Sequence, residues 1–529
     1  AIDQDQAAME SYLKKVPPNF EAAKNIYKLG GFSKSYAELT VPETPRAISK
    51  GAPMYATSLT GGAVAGKAYD NYGAGSTKIR FQYKTGDSQD TYSNCKAGGL
   101  IGALMDPVAT YVYSGADTSG CVDETKAVLV TFDSDGGRTV LKDVGATAIK
   151  HKNGRTLAGF STGAGKKMLK SGNGKRDYDD FMKFKAYYGV DDYADHWVTA
   201  ALDGTSTAFT GPASNTDFSV ADDAMRVQVI KKGTAYMNVW MYVIREFEDA
   251  IDDCESNCIA CNDDPVHAWD EGVAFWTGSL EKEDGFSSGK QIYALAEKRC
   301  KDFKTCGKDS GMNSLRTEGA TVYQDVTAKV NYDLFYHFAN GEFLLAYGRC
   351  DEVRPVLRKV VALMTVPLIQ GTLKYVYKKF VPPIPVGATK FADIQSEGAT
   401  FAAAVLPMIH ACNEDDAATI AEHASLHSET WVGKERPAYD TWNKVKTAFE
   451  NNYACLGITC ADIGGLYGDL KEGQPGADGR RLAEVGYFEG AEPCSDSVTL
   501  TAGEYDQIAG YEPGSQVTDH AAIDQDQNA

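Results

Sequence analysis

Between Asp222 and Cys254 the apolar residues Val227, Ile230, Tyr236, Val239, Val243, Phe247 and Ile251 recur mostly at three- and four-residue intervals, with charged positions among them. That period matches the 3.6-residue turn and predicts one long amphipathic helix. Further helices are expected over residues 266–280, 288–303, 318–349, 354–380, 390–412, 415–426 and 435–453. The intervening loops are short, which favours antiparallel helix bundles. Two shorter helices precede residue 30, with Pro17-Pro18 between them and Gly30-Gly31 as the stop.

From there to about residue 175 the pattern changes to Gly, Ser, Thr and short β-rich runs. The runs Lys126–Phe132 and Arg138–Val144 flank Asp133-Ser134-Asp135-Gly136-Gly137, which is a hairpin signal. The fold class expected is mainly α: disulfide-stapled helical bundles, two of them related, with an α+β N-terminal region. The expected divisions are 1–175 for that region, 176–310 and 311–465 for the two bundles, and 466–529 for a Gly-, Pro- and acid-rich linker into a next repeat.

Composition narrows the function. The chain has 529 residues and 43% hydrophobic content, ample for a core, so disorder and coiled coil are poor readings. With 53 Lys+Arg against 72 Asp+Glu the net charge is −19. Nucleic acid is disfavoured as a partner, because the most basic run, Lys166 to Arg176, is short and glycine-spaced. Cations are the natural counter-charge. The longest apolar run, Val360 to Ile369, falls short of the ~18 residues a membrane span needs, so no transmembrane segment is expected.

Twelve cysteines suggest several disulfides in a secreted protein. They fall into two sets near helix ends: Cys254, Cys258, Cys261, Cys300 and Cys306, then Cys350, Cys412, Cys455 and Cys460. Cys95 and Cys121 form a plausible local bond, and the pairing elsewhere stays open. Residue 1 is Ala, which points to processing. The hexapeptide Ala1–Gln6 recurs identically at Ala522–Gln527, an offset of 521 residues. One period of a longer repeated polypeptide is the simplest account, and it makes neighbouring units, in a homopolymer or tandem array, natural partners.

Gly-x-Ser-x-Gly occurs at Gly159–Gly163 and at Gly285–Gly289, but neither lies between a strand and a helix as a nucleophile elbow must. Cys258-Ile259-Ala260-Cys261 lacks a second pair at zinc-ribbon spacing, so a disulfide role is the better reading. No acid/base or nucleophile set supports an enzyme. The strongest chemical candidate is Pro265–Trp276. His267, Asp270 and Glu271 stand at i, i+3 and i+4, so an imidazole and two carboxylates share one helix face, a donor set that suits iron or zinc. His423 and His427 are also four apart, but a solvated pair is the better reading there. Glu397 precedes an apolar run, where a carboxylate is either a ligand or a hydrogen-bonded structural acid.

Seven segments, Asp192–Gly204, Ile230–Cys254, His267–Glu281, Tyr293–Cys306, Val366–Lys378, Glu397–Cys412 and Ile508–His520, closely resemble the low-iron-inducible periplasmic iron-assimilation proteins of algae. Imelysin-type iron-regulated proteins are more faintly similar; in them a His-x-x-Glu helix contributes to a metal site between bundles. In this chain the spacing gives His267-x-x-Asp270, with Glu271 one residue later. The resemblance implies a secreted, non-enzymatic protein of the periplasmic space or cell surface, with iron as its bound ion. His267, Asp270 and Glu271 would be ligands, joined by Glu397 from a neighbouring helix. The alternative, favoured by the repeated hexapeptide, is a structural tandem-repeat unit of an extracellular filament or cell-surface array.

Overall fold

The structure is a computed structural model that describes residues 2–30, 35–57, 62–69, 71–83, 128–131, 138–141, 149–152, 156–173, 175–256, 265–281, 289–306, 327–380, 391–426, 438–469, 485–488 and 490–494. Helices α1 (Ile2–Leu13) and α2 (Phe20–Leu29) open the chain. Asn19 caps α2 by accepting the N–H of Ala22, and Gly30, at a positive φ, closes it.

Seven strands follow: β1 (Ser35–Thr40), β2 (Pro53–Thr57), β3 (Ala63–Ala68), β4 (Lys78–Tyr83), β5 (Val128–Thr131), β6 (Arg138–Leu141) and β7 (Ile149–Lys152). They form one antiparallel sheet in the order β6-β5-β2-β3-β4-β1-β7. The expected hairpin is β5–β6, with Thr131 opposite Arg138; its turn lies outside the described residues. Alternation along β2 buries Met54 and Ala56 and exposes Tyr55. Leu39, Ile79, Phe81, Val128 and Val130 join Met54 and Ala56 in a core separate from that of the helices; Val41, Ile48 and Ala52 from the connecting segments also belong to it.

The remaining elements are helices apart from β8 (Tyr467–Asp469) and β9 (Val485–Tyr487). After the short turns α3 (Gly159–Thr162) and α4 (Ala164–Lys167) come α5 (Asp179–Tyr188), α6 (Tyr193–Asp203), α7 (Asp223–Gly233), α8 (Trp240–Glu255), α9 (Pro265–Thr277), α10 (Ile292–Phe303) and α11 (Lys329–Ala346). They are followed by α12 (Cys350–Phe380), α13 (Phe391–Cys412), α14 (Glu414–Ala424), α15 (Ala438–Glu450), α16 (Tyr453–Leu456) and α17 (Cys460–Ile463). The long helix expected from Asp222 is α7 and α8 joined without a break by a π-helical turn, Thr234–Val239, all of it buried. Gly233 enters that turn so close to Trp197 that a Cβ there would lie 2.8 Å from the indole.

One hydrophobic core runs from Ile2 to Ala491 through these helices. It includes Met9, Leu13, Ile26 and Tyr27, so α1 and α2 pack with the bundle, against α7 and α6, and apart from the sheet that follows them. The core is also continuous across residue 310. At its centre α12 packs against α8, α10, α11, α13 and α15. This helix is long and apolar enough to cross a membrane, because helical residues extend Val360–Ile369 in both directions, but 89% of its apolar window is buried inside the fold. It is therefore the central core helix.

Four disulfides lie among the described residues. Cys254–Cys350 ties the end of α8 to the start of α12, joining the two cysteine sets. Cys300–Cys306 closes the end of α10, Cys412–Cys455 links α13 to α16, and Cys460–Cys494 links α17 to the segment after β9. Bonds of this number belong to a chain that folds in an oxidising environment. Cys95, Cys121, Cys258 and Cys261 lie outside the described residues.

Candidate functional site

Helix α9 is held by its two tryptophans. Trp269 Nε1–H donates to the Phe338 carbonyl at 2.9 Å, and Trp276 Nε1–H to Asn331 Oδ1 at 3.3 Å. Gly272 lies between them against the Phe247 ring, where a Cβ would approach to 2.5 Å. With that face fixed on α8 and α11, the opposite one turns outward. There His267 Nε2 stands 3.6 Å from Glu271 Oε1, with side-chain exposures of 63% and 27%. Asp270 is exposed beside them. The four-residue spacing thus brings His267 and Glu271 together, as expected of a helix face.

Glu397 does not join them. It lies on α13, which packs against α12, α7 and α5, whereas α9 packs against α8, α10 and α11. Among the described residues no three His, Cys, Asp or Glu side chains converge as a metal-holding group. The expected four-ligand set is therefore split between two places. Of the second histidine pair, His423 is buried at the end of α14, where burial lowers its pKa and its carbonyl accepts from Lys379 Nζ at 3.1 Å. His427 lies outside the described residues. Ser161 of the first Gly-x-Ser-x-Gly is buried in the α3 turn and accepts the Asp195 N–H at 3.1 Å; Gly285–Ser288 of the second lie outside the described residues.

Around Glu397 the helices assemble an unexpected set. Its Oε2 is 3.8 Å from Lys232 Nζ at the end of α7, and its carboxylate accepts from the Tyr375 hydroxyl. Three rings line up beside it: Tyr236 of the π turn stacks on Phe401 at 5.1 Å, and Phe401 on Tyr375 at 5.8 Å. Cations lie over these rings, with Lys232 5.9 Å from Tyr236 and Arg299 5.8 Å from Tyr375. Lys374 holds Asp302 Oδ1 at 2.6 Å, and Asp302 Oδ2 is 3.4 Å from Arg299 Nη1.

The ionisations reflect this crowding. Burial pushes the Tyr375 hydroxyl up, and the neighbouring Glu397 charge raises it further. Lys298 is lowered by burial and then by the like charges of Lys232, Lys290 and Arg299. Lys374 falls to about 8 through burial and Arg299, although Asp302 opposes the shift. A metal cation brought to Glu397 would meet this positive field, whereas an anion would be drawn by it. Lys232, Arg299 and Tyr375 went unnoticed in the sequence because they lie 67 and 76 residues apart and belong to no motif.

No protein family, curated protein or solved structure matches this chain.

Proposed function

We propose that the protein is a secreted, non-enzymatic module that binds iron in the periplasmic space or at the cell surface. The observation that carries this reading is the exposed His267–Glu271 pair, 3.6 Å apart on a helix anchored by Trp269 and Trp276. The disulfides support an extracellular setting, and the net charge of −19 favours cation accumulation. An imidazole and a carboxylate are suitable donors for iron, and Asp270 adds a second carboxylate beside them. Two or three protein donors leave the remaining positions to water or a chelator, a geometry suited to exchangeable capture.

The test is calorimetric titration of ferrous iron, without oxygen, and of chelated ferric iron into wild type, His267→Ala and Glu271→Gln. The expected result is a loss of about tenfold or more in affinity in each variant with unchanged thermal unfolding. Equal binding in all three, or none in any, rejects the site.

A second reading, a structural unit of a tandem array, has its own support. The first copy of the repeated hexapeptide is built into the fold: Asp3 is 1% exposed and accepts bonds from Ser279 N, Ser279 Oγ and Leu280 N. Gln6, equally buried, donates to the Lys231 carbonyl at 3.1 Å. An identical sequence at Ala522–Gln527 carries the same groups and could begin the same docking in a following unit. The intact mass of native material decides: one species near the 57.1 kDa of this chain rejects a covalent array.

A further inference from the structure

Among the large apolar side chains that stand exposed in the described residues, four share one helix and its C-cap. They are Phe335, Tyr336, Phe343 and Tyr347 of α11, each between 42% and 71% exposed. Single residues of this kind are ordinary on a protein surface, whereas a contiguous set marks an interaction site. Helix α11 turns Leu334, Phe338, Gly341 and Leu345 into the core. On its outer side Phe335, Ala339, Phe343 and Tyr347 follow at four-residue steps. Tyr336 and Ala346 stand three residues from Ala339 and Phe343, so all six line one exposed face. Of the exposed positions from Phe335 to Tyr347, Glu342 alone is charged. The Phe343 and Tyr347 rings lie 4.7 Å apart, and Tyr293 of α10 reaches Phe335 at 6.1 Å, which extends the patch beyond the helix.

We propose that this stripe is the contact through which two copies of the chain pair, α11 against α11 and antiparallel. The order of its residues selects a second copy as the occupant. Counting outward from Gly341, Ala339 on one side is matched by Phe343 on the other, Tyr336 by Ala346, and Phe335 by Tyr347. A two-fold axis at that level sets each copy's Phe343 on the other's Ala339, and Phe335 and Tyr336 against Ala346 and Tyr347. Rings thus meet methyl groups along the middle of the contact and other rings at its ends. The area sets the strength. A fully buried aromatic side chain covers about 150–250 Å², so four half-exposed ones leave about 400 Å² open per copy. The pair would cover about 800 Å², below the standard interface of about 1,600 Å². Association is accordingly weak, with a dissociation constant on the order of 10–100 μM. Each copy carries a net charge of −19, so mutual repulsion opposes pairing and salt strengthens it. This contact uses neither α9 nor the repeated hexapeptide and stands apart from both functional readings.

The experiment is sedimentation equilibrium of the full chain from about 5 to about 500 μM at low and high salt. The variants are Phe343→Lys and Ala339→Glu, both at exposed positions, each alone and then mixed in equal amounts, with thermal unfolding measured for each. Wild type is expected to pass from monomer to dimer, further at high salt, and to stop there because a two-fold contact closes. Each variant alone should pair at least tenfold more weakly, since like charges then face each other across the axis. The mixture should regain the dimer: the ammonium of one variant meets the carboxylate of the other, and the second Phe343–Ala339 contact is intact. The proposal is overturned if wild type stays monomeric throughout, including the case in which neutral lipid vesicles pellet it and the stripe serves a membrane. It is equally overturned if both variants associate as wild type does, the result expected of open chains linked through the hexapeptide, or if the mixture stays monomeric.

Discussion

Glu297 of α10 accepts a hydrogen bond from Asn331 Nδ2 of α11 at 2.7 Å, and Asn331 in turn accepts from the Trp276 indole of α9. Three helices are thereby joined through one buried carboxyl, which also accepts the Ala328 N–H at 3.1 Å. The same carboxyl gives the fold a pH signature. Burial pushes it up to about 7, although the bonds from Asn331 and Ala328 act in the opposite direction. Between its ordinary value and about 7 the folded chain keeps a proton that the unfolded chain has lost. Stability from this group is therefore greatest below that window and declines as pH rises through it, by up to about 3 kcal/mol. Urea unfolding at pH 5 and pH 8 should show a smaller drop in Glu297→Gln than in wild type; equal drops would reject the assignment.

Packing of α9 depends on glycine at its contact points. A Cβ on Gly272 would lie 2.5 Å from the Phe247 ring, and one on Gly341 would collide with the Trp269 indole. Gly272→Ala and Gly341→Ala are each expected to cost about 1–3 kcal/mol, the range for overpacked cores. Denaturant midpoints measure this, and a variant as stable as wild type would show that the site relaxes freely.

The disulfides should differ in worth by loop length. Cys254–Cys350 spans 96 residues and Cys300–Cys306 spans 6. Loop entropy assigns about 4–5 kcal/mol to the first and about 2 kcal/mol to the second. Paired Cys→Ala variants should unfold in that order of severity. The reverse order would mean that local geometry outweighs chain entropy at these sites.

Asp3 is expected to anchor α1. Its carboxylate is buried and accepts from Ser279 and Leu280, so Asp3→Ala removes these bonds together and should cost about 2 kcal/mol. Ser279→Ala should cost less, since the backbone N–H groups still donate. A double-mutant cycle on Asp3 and Ser279 reads the coupling, and strict additivity would rule out a direct bond.

Much of this architecture was readable before any packing was known, wherever the controlling distance is short along the chain. Apolar period marked the helix from Asp222 to Cys254, and turn chemistry marked the β5–β6 hairpin. The four-residue step of a helix alone placed His267 beside Glu271. The π turn at Thr234–Val239 escaped notice because it keeps the helix continuous and changes only which carbonyl each N–H meets.

What tertiary structure decided involves residues with no periodic relation to one another. Cysteine content implied disulfides, yet only the approach of α8 to α12 chose Cys350 for Cys254. A division into two bundles followed from similar cysteine sets, while the packing around α12 runs one core through both. The family resemblance offers Glu397 as a metal ligand from a neighbouring helix, while its place before an apolar run leaves ligand and structural acid both open. Its neighbours Lys232, Arg299 and Tyr375 come from three other helices, the first two bringing positive charge and the third a hydroxyl donor. Local sequence dictates a side chain's position on its own helix, but the field it experiences is the sum over every helix packed against it.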